Sequence, residues 1–327
     1  MIKPLKHPTV HPCIITFIFA IVAIRLAAVP NAAAETTSTT KASNPPVVAL
    51  RDISNAPRLA RGSTVEFNTS VALFLPEGWQ NEISPDTGDL KVTIHFHGAQ
   101  WFAIEEHARR GARHPLIAIY QGEGSRVYQA AFENPQNLNQ LLDRALAETR
   151  KRGPTKLLRL APIEVQSFSA GYGAVRELLK HPDYVRAISA IVLADSLYAS
   201  LTTGTEGQRG QPDPEQMRPF IEYGKLAARG DKFFLLAHSD IATPAYASTV
   251  ETGDALIAGV GARREQVTTG SLAAAAPDLG FPLLSRADAR NFHVWGYAGR
   301  TPQAHMAIAR TIAEFWHALY NDVNPPA

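Results

Sequence analysis

Short unbroken apolar runs alternate along most of this chain with stretches in which apolar positions recur at helical spacing. Thr64–Leu75 (TVEFNTSVALFL), partly alternating and stopped by Pro76-Glu77-Gly78, predicts an early strand. Leu90–Phe96 predicts the next, ending in His97-Gly98-Ala99, and Pro115–Tyr120 a third, closed by Gln121-Gly122. Asn137–Arg152 has helical spacing, with Leu138, Leu141, Leu142, Leu146 and Ala147 on one side. Leu157–Ile163 with Val165 predicts a strand running into Ser167-Phe168-Ser169-Ala170-Gly171. The amphipathic pattern Tyr172–Lys180 leads away as a helix, and His181-Pro182 stops it.

Ala187–Ala194 predicts a buried strand ending at Asp195. A polar, Gly-rich loop (Thr202–Pro214), a helix at about 214–228 and a strand over Lys232–Ala237 follow, the strand ending in His238-Ser239-Asp240. Helical spacing resumes at Tyr246–Ile257. A long, low-charge loop leads to Phe292–Tyr297, the last strand, and Ala304–Tyr320 is the closing helix. Continuous apolar strands alternating with helices predict an α/β domain, a doubly wound, mostly parallel sheet with helices on both faces. Ligands in such sheets sit at the carboxyl ends of the strands, where every chemically interesting group named above lies.

The N-terminus departs from this pattern. Lys3 and Lys6 precede a twelve-residue apolar core, Cys13–Ile24, and Ala32-Ala33-Ala34 precedes Glu35. These are the regions and cleavage site of a secretory signal, expected over residues 1–34. The core is short for a bilayer span, so an uncleaved anchor is the lesser alternative. Val10-His11-Pro12 before Cys13 is not a lipoprotein pattern. Cys13 is the only cysteine, so a cleaved chain has no disulfide, thiol nucleophile or cysteine-ligated metal.

The formal charge of +2 includes Lys3, Lys6 and Arg25 and no acid from that segment, which leaves −1 on the remainder. No basic block with interleaved aromatics is present, so nucleic acid is not an expected partner. Residues 35–46 (ETTSTTKASNPP) read as a disordered Thr/Ser/Pro-rich tether, 47–322 as one domain and 323–327 as a tail. The expected location is secreted or periplasmic, with no stable membrane insertion after cleavage.

The stretch Val165–Val175 carries the chemistry. A serine between a strand and a helix, with small residues two positions to either side, is the layout of a nucleophile elbow. Those residues here are Ser167 and Gly171, so the motif is S-x-S-x-G rather than G-x-S-x-G. An acyl-transfer serine needs a base, an acid to orient it, and oxyanion donors. His305, beyond the last strand, is the candidate base, and His293 within that strand reads as packing. Two acids compete. Asp240 follows the penultimate strand but could cap the next helix. Asp195, hard against the end of a buried strand, is preferred, although it could simply tie down Ser196–Tyr198. The candidate oxyanion donors are the backbone N–H groups of Ala170 and of Gly98 or Ala99, with His97 bracing that loop. Gln100, Trp101 and Phe102 could line an acyl or leaving-group pocket.

The ordered set HFHG, SFSAGYG, ADS, AHSD and GRTPQAH resembles the α/β-hydrolase superfamily over essentially the whole chain after the leader. The resemblance implies a sheet of the eight-stranded type and a triad of Ser169, His305 and Asp195 or Asp240. It also implies a covalent acyl-enzyme and no metal or organic cofactor. Ser167, in place of the first motif glycine, is the departure. The expected activity is cleavage of an ester, with an amide as the lesser alternative, in a small molecule or polymer.

Two other readings compete. His95-Phe96-His97 could place two imidazoles on a metal, with His107, His238 and Asp240 as further ligands. Alternatively, the chain could be a binding protein of the same fold without chemistry. The sparse charge of about Thr268–Ala289, with Leu272, Leu279, Phe281 and Leu283, suggests an apolar lid for a hydrophobic acyl group.

Overall fold

The computed structural model describes residues 58–153, 159–205, 208–267 and 280–320. The leader at 1–34, the tether at 35–46 and the tail at 323–327 lie outside them. Among the described residues no helix is long and apolar enough to cross a membrane.

The chain opens with β1 (Gly62–Asn68) and β2 (Val71–Pro76), then β3 (Asp89–Phe96), α1 (Gln100–Arg109), β4 (Leu116–Ile119), α2 (Ser125–Phe132) and α3 (Gln136–Arg150). Next come β5 (Arg159–Phe168), α4 (Tyr172–Leu179), α5 (Pro182–Ala187), β6 (Ile188–Ala194), α6 (Pro214–Arg229), β7 (Phe233–His238) and α7 (Thr249–Val260). It closes with β8 (Glu265–Gln266), β9 (Leu283–Ala289), β10 (Phe292–Tyr297), α8 (Pro302–Ala309) and α9 (Ile312–Tyr320).

The described strands form one ten-stranded sheet in the order β1-β2-β4-β3-β5-β6-β7-β10-β9-β8. The block from β4 to β10 is parallel, and antiparallel strands flank it at both edges. Helices cover both faces. On β6, Ile191 and Leu193 pack with Tyr128, Leu178 and Phe220, while Ala190, Val192 and Ala194 pack with Ile312, Phe315 and Trp316. This period-two division is why the strand reads as an unbroken apolar run.

Several boundaries differ from the sequence expectation. The early strand is two, because the Asn68 side chain accepts from Ser70 N–H at 2.8 Å and turns the chain back on itself. Gln100–Phe102 open a helix. Phe102 is buried with Phe168, and Trp101 is exposed. The helix expected from Tyr246 begins at Thr249, where Ser248 and Glu251 form a capping box.

The closing helix breaks between Ala309 and Ile312, and Thr311 bonds back to the Ala307 carbonyl at 2.9 Å. Much of the expected apolar lid lies outside the described residues. Of the rest, Leu283 begins a strand and is buried, and Phe281 packs against that same core. Both serve the fold rather than a lid.

Candidate active site

Register brings the strand ends together. Phe168 of β5 is paired with Ala194 of β6, and Ala194 with Ala237 of β7, so Ser169, Asp195 and His238 emerge side by side. Four described non-glycine residues have positive φ. Three of them, His97 (φ 69°), Ser169 (φ 47°) and Asp195 (φ 46°), each stand immediately after one of three neighbouring strands, β3, β5 and β6. Side-chain-bearing residues reach this region only at a cost, and such strain gathers where geometry is used.

The turn at Ser169 is tight. A Cβ at Gly171 would stand 2.4 Å from the Phe96 carbonyl oxygen and 2.6 Å from Ser167 Oγ. One at Gly173 would meet the Ser125 carbonyl oxygen at 2.3 Å, so that glycine lets α4 press against the start of α2. Ser167 is fully buried, and its hydroxyl lies 2.7 Å from Ser196 Oγ. Ser196 donates to the Ser169 carbonyl at 2.8 Å, so the Ser167 hydroxyl is the donor to Ser196. The serine that replaces the usual glycine is therefore wired into the elbow.

His305, in the first turn of α8, has Nδ1 2.8 Å from Asp195 Oδ2. Phe168 packs against its ring, centroid to centroid 4.5 Å. Asp195 is wholly buried and accepts three further hydrogen bonds: Ser239 N–H (3.1 Å), Ser239 Oγ (2.6 Å) and Thr249 Oγ1 (2.7 Å). Burial acts to raise its pKa. The bond to His305 and that ring's charge, helped by Ser239 and Thr249, overcome it and hold the carboxyl below its ordinary value. Asp240 points elsewhere, receiving a 2.6 Å bond from Arg300 Nε, and it caps no helix, since α7 is capped by Ser248. The structure pairs His305 with Asp195 and not with Asp240.

Ser169, Ala170, His97 and His305 line one cavity of about 710 Å³. Gly98 (φ 114°) and Ala99, which leads into α1, follow directly on His97. Tyr172, Tyr198 and Tyr246 form an aromatic part of the wall, with ring centroids 5.5 and 5.6 Å apart. Arg126, Arg176 and Arg300 also reach the cavity.

The imidazoles of the metal reading do not converge. His95 Nδ1 lies 3.0 Å from Gln166 Nε2, and His97 Nδ1 lies 3.0 Å from the Tyr128 hydroxyl. His107 Nε2 meets the His114 carbonyl at 2.8 Å, and His238 Nδ1 the Ser239 carbonyl at 2.9 Å. Among the described residues no group of three or more His, Cys, Asp or Glu side chains could hold a metal ion. His293 lies within β10, its Nδ1 2.7 Å from Asp288 Oδ1 on β9.

Sequence reading missed Ser196, Ser239 and Thr249 as supports, and Arg176 and the tyrosines as cavity wall. Only Ser248-x-x-Glu251, which fixes the start of α7 and so Thr249, carries a readable signal.

No family model and no curated relative matches the chain. Among solved structures, the histone deacetylase Clr3 superposes with a TM-score of 0.32 at 9% identity over 80% of this chain, which spans 35% of that protein's length. A glucuronoyl esterase from Solibacter usitatus gives 0.38 at 11% identity and 77% of each chain. A monoglyceride lipase from Saccharomyces cerevisiae gives 0.37 at 9% identity, over 86% of this chain and 100% of that one. The chain's own strand order, with a strained serine between β5 and α4, is that of the α/β-hydrolase fold.

Proposed function

We propose that this chain is an exported serine hydrolase that cleaves an ester, or an amide by the same chemistry. The observation that carries the reading is the 2.8 Å contact of His305 Nδ1 with buried Asp195, on a ring that shares a cavity with strained Ser169. In the proposed reaction Ser169 Oγ attacks the carbonyl carbon, and His305 Nε2 takes the hydroxyl proton. Asp195 fixes the tautomer that leaves Nε2 free and stabilises the imidazolium. The C–O bond to the alcohol then breaks as His305 returns the proton to the leaving oxygen. Water, activated by the same imidazole, releases the acid and regenerates the serine.

The N–H of Ala170 and that of Gly98 or Ala99 would face the oxyanion. One such donor is typically worth about 3–4 kcal/mol in the transition state. No step calls for a metal or an organic cofactor, and export rests on the leader at residues 1–34.

The experiment is labelling of the purified protein with a fluorophosphonate probe, wild type against Ser169→Ala. Labelling confined to wild type is the expected result. A folded wild type that takes no label would move the weight to a binding protein without chemistry.

A further inference from the structure

Arg176 presents a problem that the hydrolytic reading leaves unsolved. The residue, on α4, is 7% exposed and lines the cavity it shares with Ser169. A buried charge is costly unless it is paired. Yet no carboxylate among the described residues lies within ion-pair distance of it.

Its contacts are neutral groups: a bond from Nη2 to the Tyr198 carbonyl, a side-chain hydrogen bond with Tyr172, and a position over the Tyr172 ring, 4.9 Å from the centroid. Nε is buried with no partner at all. Tyr172 polarises it most, and Glu177 and Asp213 attract it from further away without pairing with it. Glu177 binds Lys180 at 2.7 Å, and Asp213 accepts from the first turn of α6. Burial pushes the Arg176 pKa down, consistent with a cation short of a counter-charge.

The rest of the wall sets the size of the missing charge. Asp240 neutralises Arg300. Arg126 has no ion-pair partner among the described residues, and Glu123 is the acid on the same wall. Arg126 and Arg176 thus share the wall with one acid, Glu123, while the Asp213 carboxylate attracts Arg176 from outside it. A guanidinium presents a planar fork that matches a carboxylate.

We infer that the substrate is an ester that carries a carboxylate, held by Arg176 while Ser169 attacks the ester carbonyl. This rests on the hydrolytic reading for the reaction, and on the unpaired guanidinium for the binding group. It also replaces the hydrophobic acyl group suggested by the low-charge loop, because this cavity is walled by arginines and tyrosines.

The test compares charged esters with neutral partners of similar shape. The 4-nitrophenyl monoester of succinic acid against 4-nitrophenyl pentanoate places the carboxylate on the acyl side. 4-Acetoxybenzoate against its methyl ester places it on the alcohol side. For at least one pair, wild type should prefer the charged member by roughly 10- to 100-fold in kcat/KM. Arg176→Gln should bring that ratio near parity, and Arg176→Lys should restore part of it.

Equal turnover within both pairs by wild type, or a preference that Arg176→Gln keeps, overturns the inference and leaves the hydrolase reading intact. Where Arg176→Gln does not fold, the wild-type ratios and Arg176→Lys decide the matter. A binding arm needs no turnover. Calorimetry with monomethyl glutarate and dimethyl glutarate on Ser169→Ala should show binding of the monoester alone, lost on adding Arg176→Gln. If no ester is hydrolysed but this selective binding holds, the hydrolase reading fails and the anion site stands. Absence of selective binding overturns the anion site.

Discussion

Ser196 Oγ donates to the backbone carbonyl of Ser169 at 2.8 Å while accepting from Ser167 at 2.7 Å, so the elbow is clamped from the neighbouring strand's end. Ser196→Ala removes the donor and leaves the buried Ser167 hydroxyl without its acceptor. That should cost about 1–3 kcal/mol of stability and slow labelling of Ser169. Ser167→Gly restores the commoner motif and keeps the bond to the Ser169 carbonyl, so it should cost less on both measures. Thermal melts and fluorophosphonate labelling rates of the two variants would expose the reverse order, which would count against the clamp.

Asp195 and Asp240 separate cleanly in asparagine variants. Asp195→Asn keeps the shape but disturbs the tautomer of His305, and kcat should fall by roughly 10³–10⁴-fold. Asp240→Asn breaks only an exposed pair with Arg300, worth at most about 1 kcal/mol, and kcat should stay within a few-fold. Steady-state kinetics on any hydrolysed ester decides it, and comparable losses in both would remove Asp195 from its role.

Gly171 is needed for space and not for conformation. Its φ is −64°, open to any residue, but a Cβ would stand 2.4 Å from the Phe96 carbonyl, which belongs to the backbone of β3 and cannot swing aside. Gly171→Ala should destabilise the protein by about 1–3 kcal/mol or more and abolish labelling of Ser169. A variant that melts and labels like wild type would show that the turn is looser than its geometry.

Much of this was legible because burial on both faces writes parallel strands as unbroken apolar runs. Phe292–Tyr297 has the bounds expected of it, and Ala187–Ala194 and Leu90–Phe96 are within one residue. Elements set by single side chains were not legible. The Asn68 turn splits a strand inside an apolar pattern, and Thr311 interrupts a helix where neither glycine nor proline warns of it. At the site, Ser169, His305 and Asp195 could be named from motif and order. Choosing Asp195 over Asp240 needed the Phe168–Ala194 register, which places Asp195 beside the elbow. Arg176 reads in sequence as an ordinary helix-surface cation. What distinguishes it is burial without an ion pair among the described residues, and that is a property of the fold.

The buried histidines predict how the protein responds to acid. His95 is pushed down to about 4, mainly by burial, with the charge of His97 acting the same way. His107 is lowered well below its ordinary value, and His97, His114 and His238 are lowered too, burial being the main cause in each. An unfolded chain protonates these rings below about 6.5, whereas the folded chain takes up the same protons only at lower pH. The unfolded state then binds more protons, so stability falls as pH drops from about 6.5 toward 4, by up to about 1.4 kcal/mol per pH unit for each ring fully affected. Glu164 and Asp195, both lowered, act in a separate window. Their contribution is present above their unfolded values near 4–4.5 and is lost only below them. Urea midpoints should therefore decline already between pH 6.5 and 5, above the window in which Glu164 and Asp195 lose their contribution. His95→Gln removes one ring from that balance and should flatten the decline. A flat wild-type profile over this range would mean that these rings take up protons in the folded protein, and that the packing around them is less closed than the structure has it.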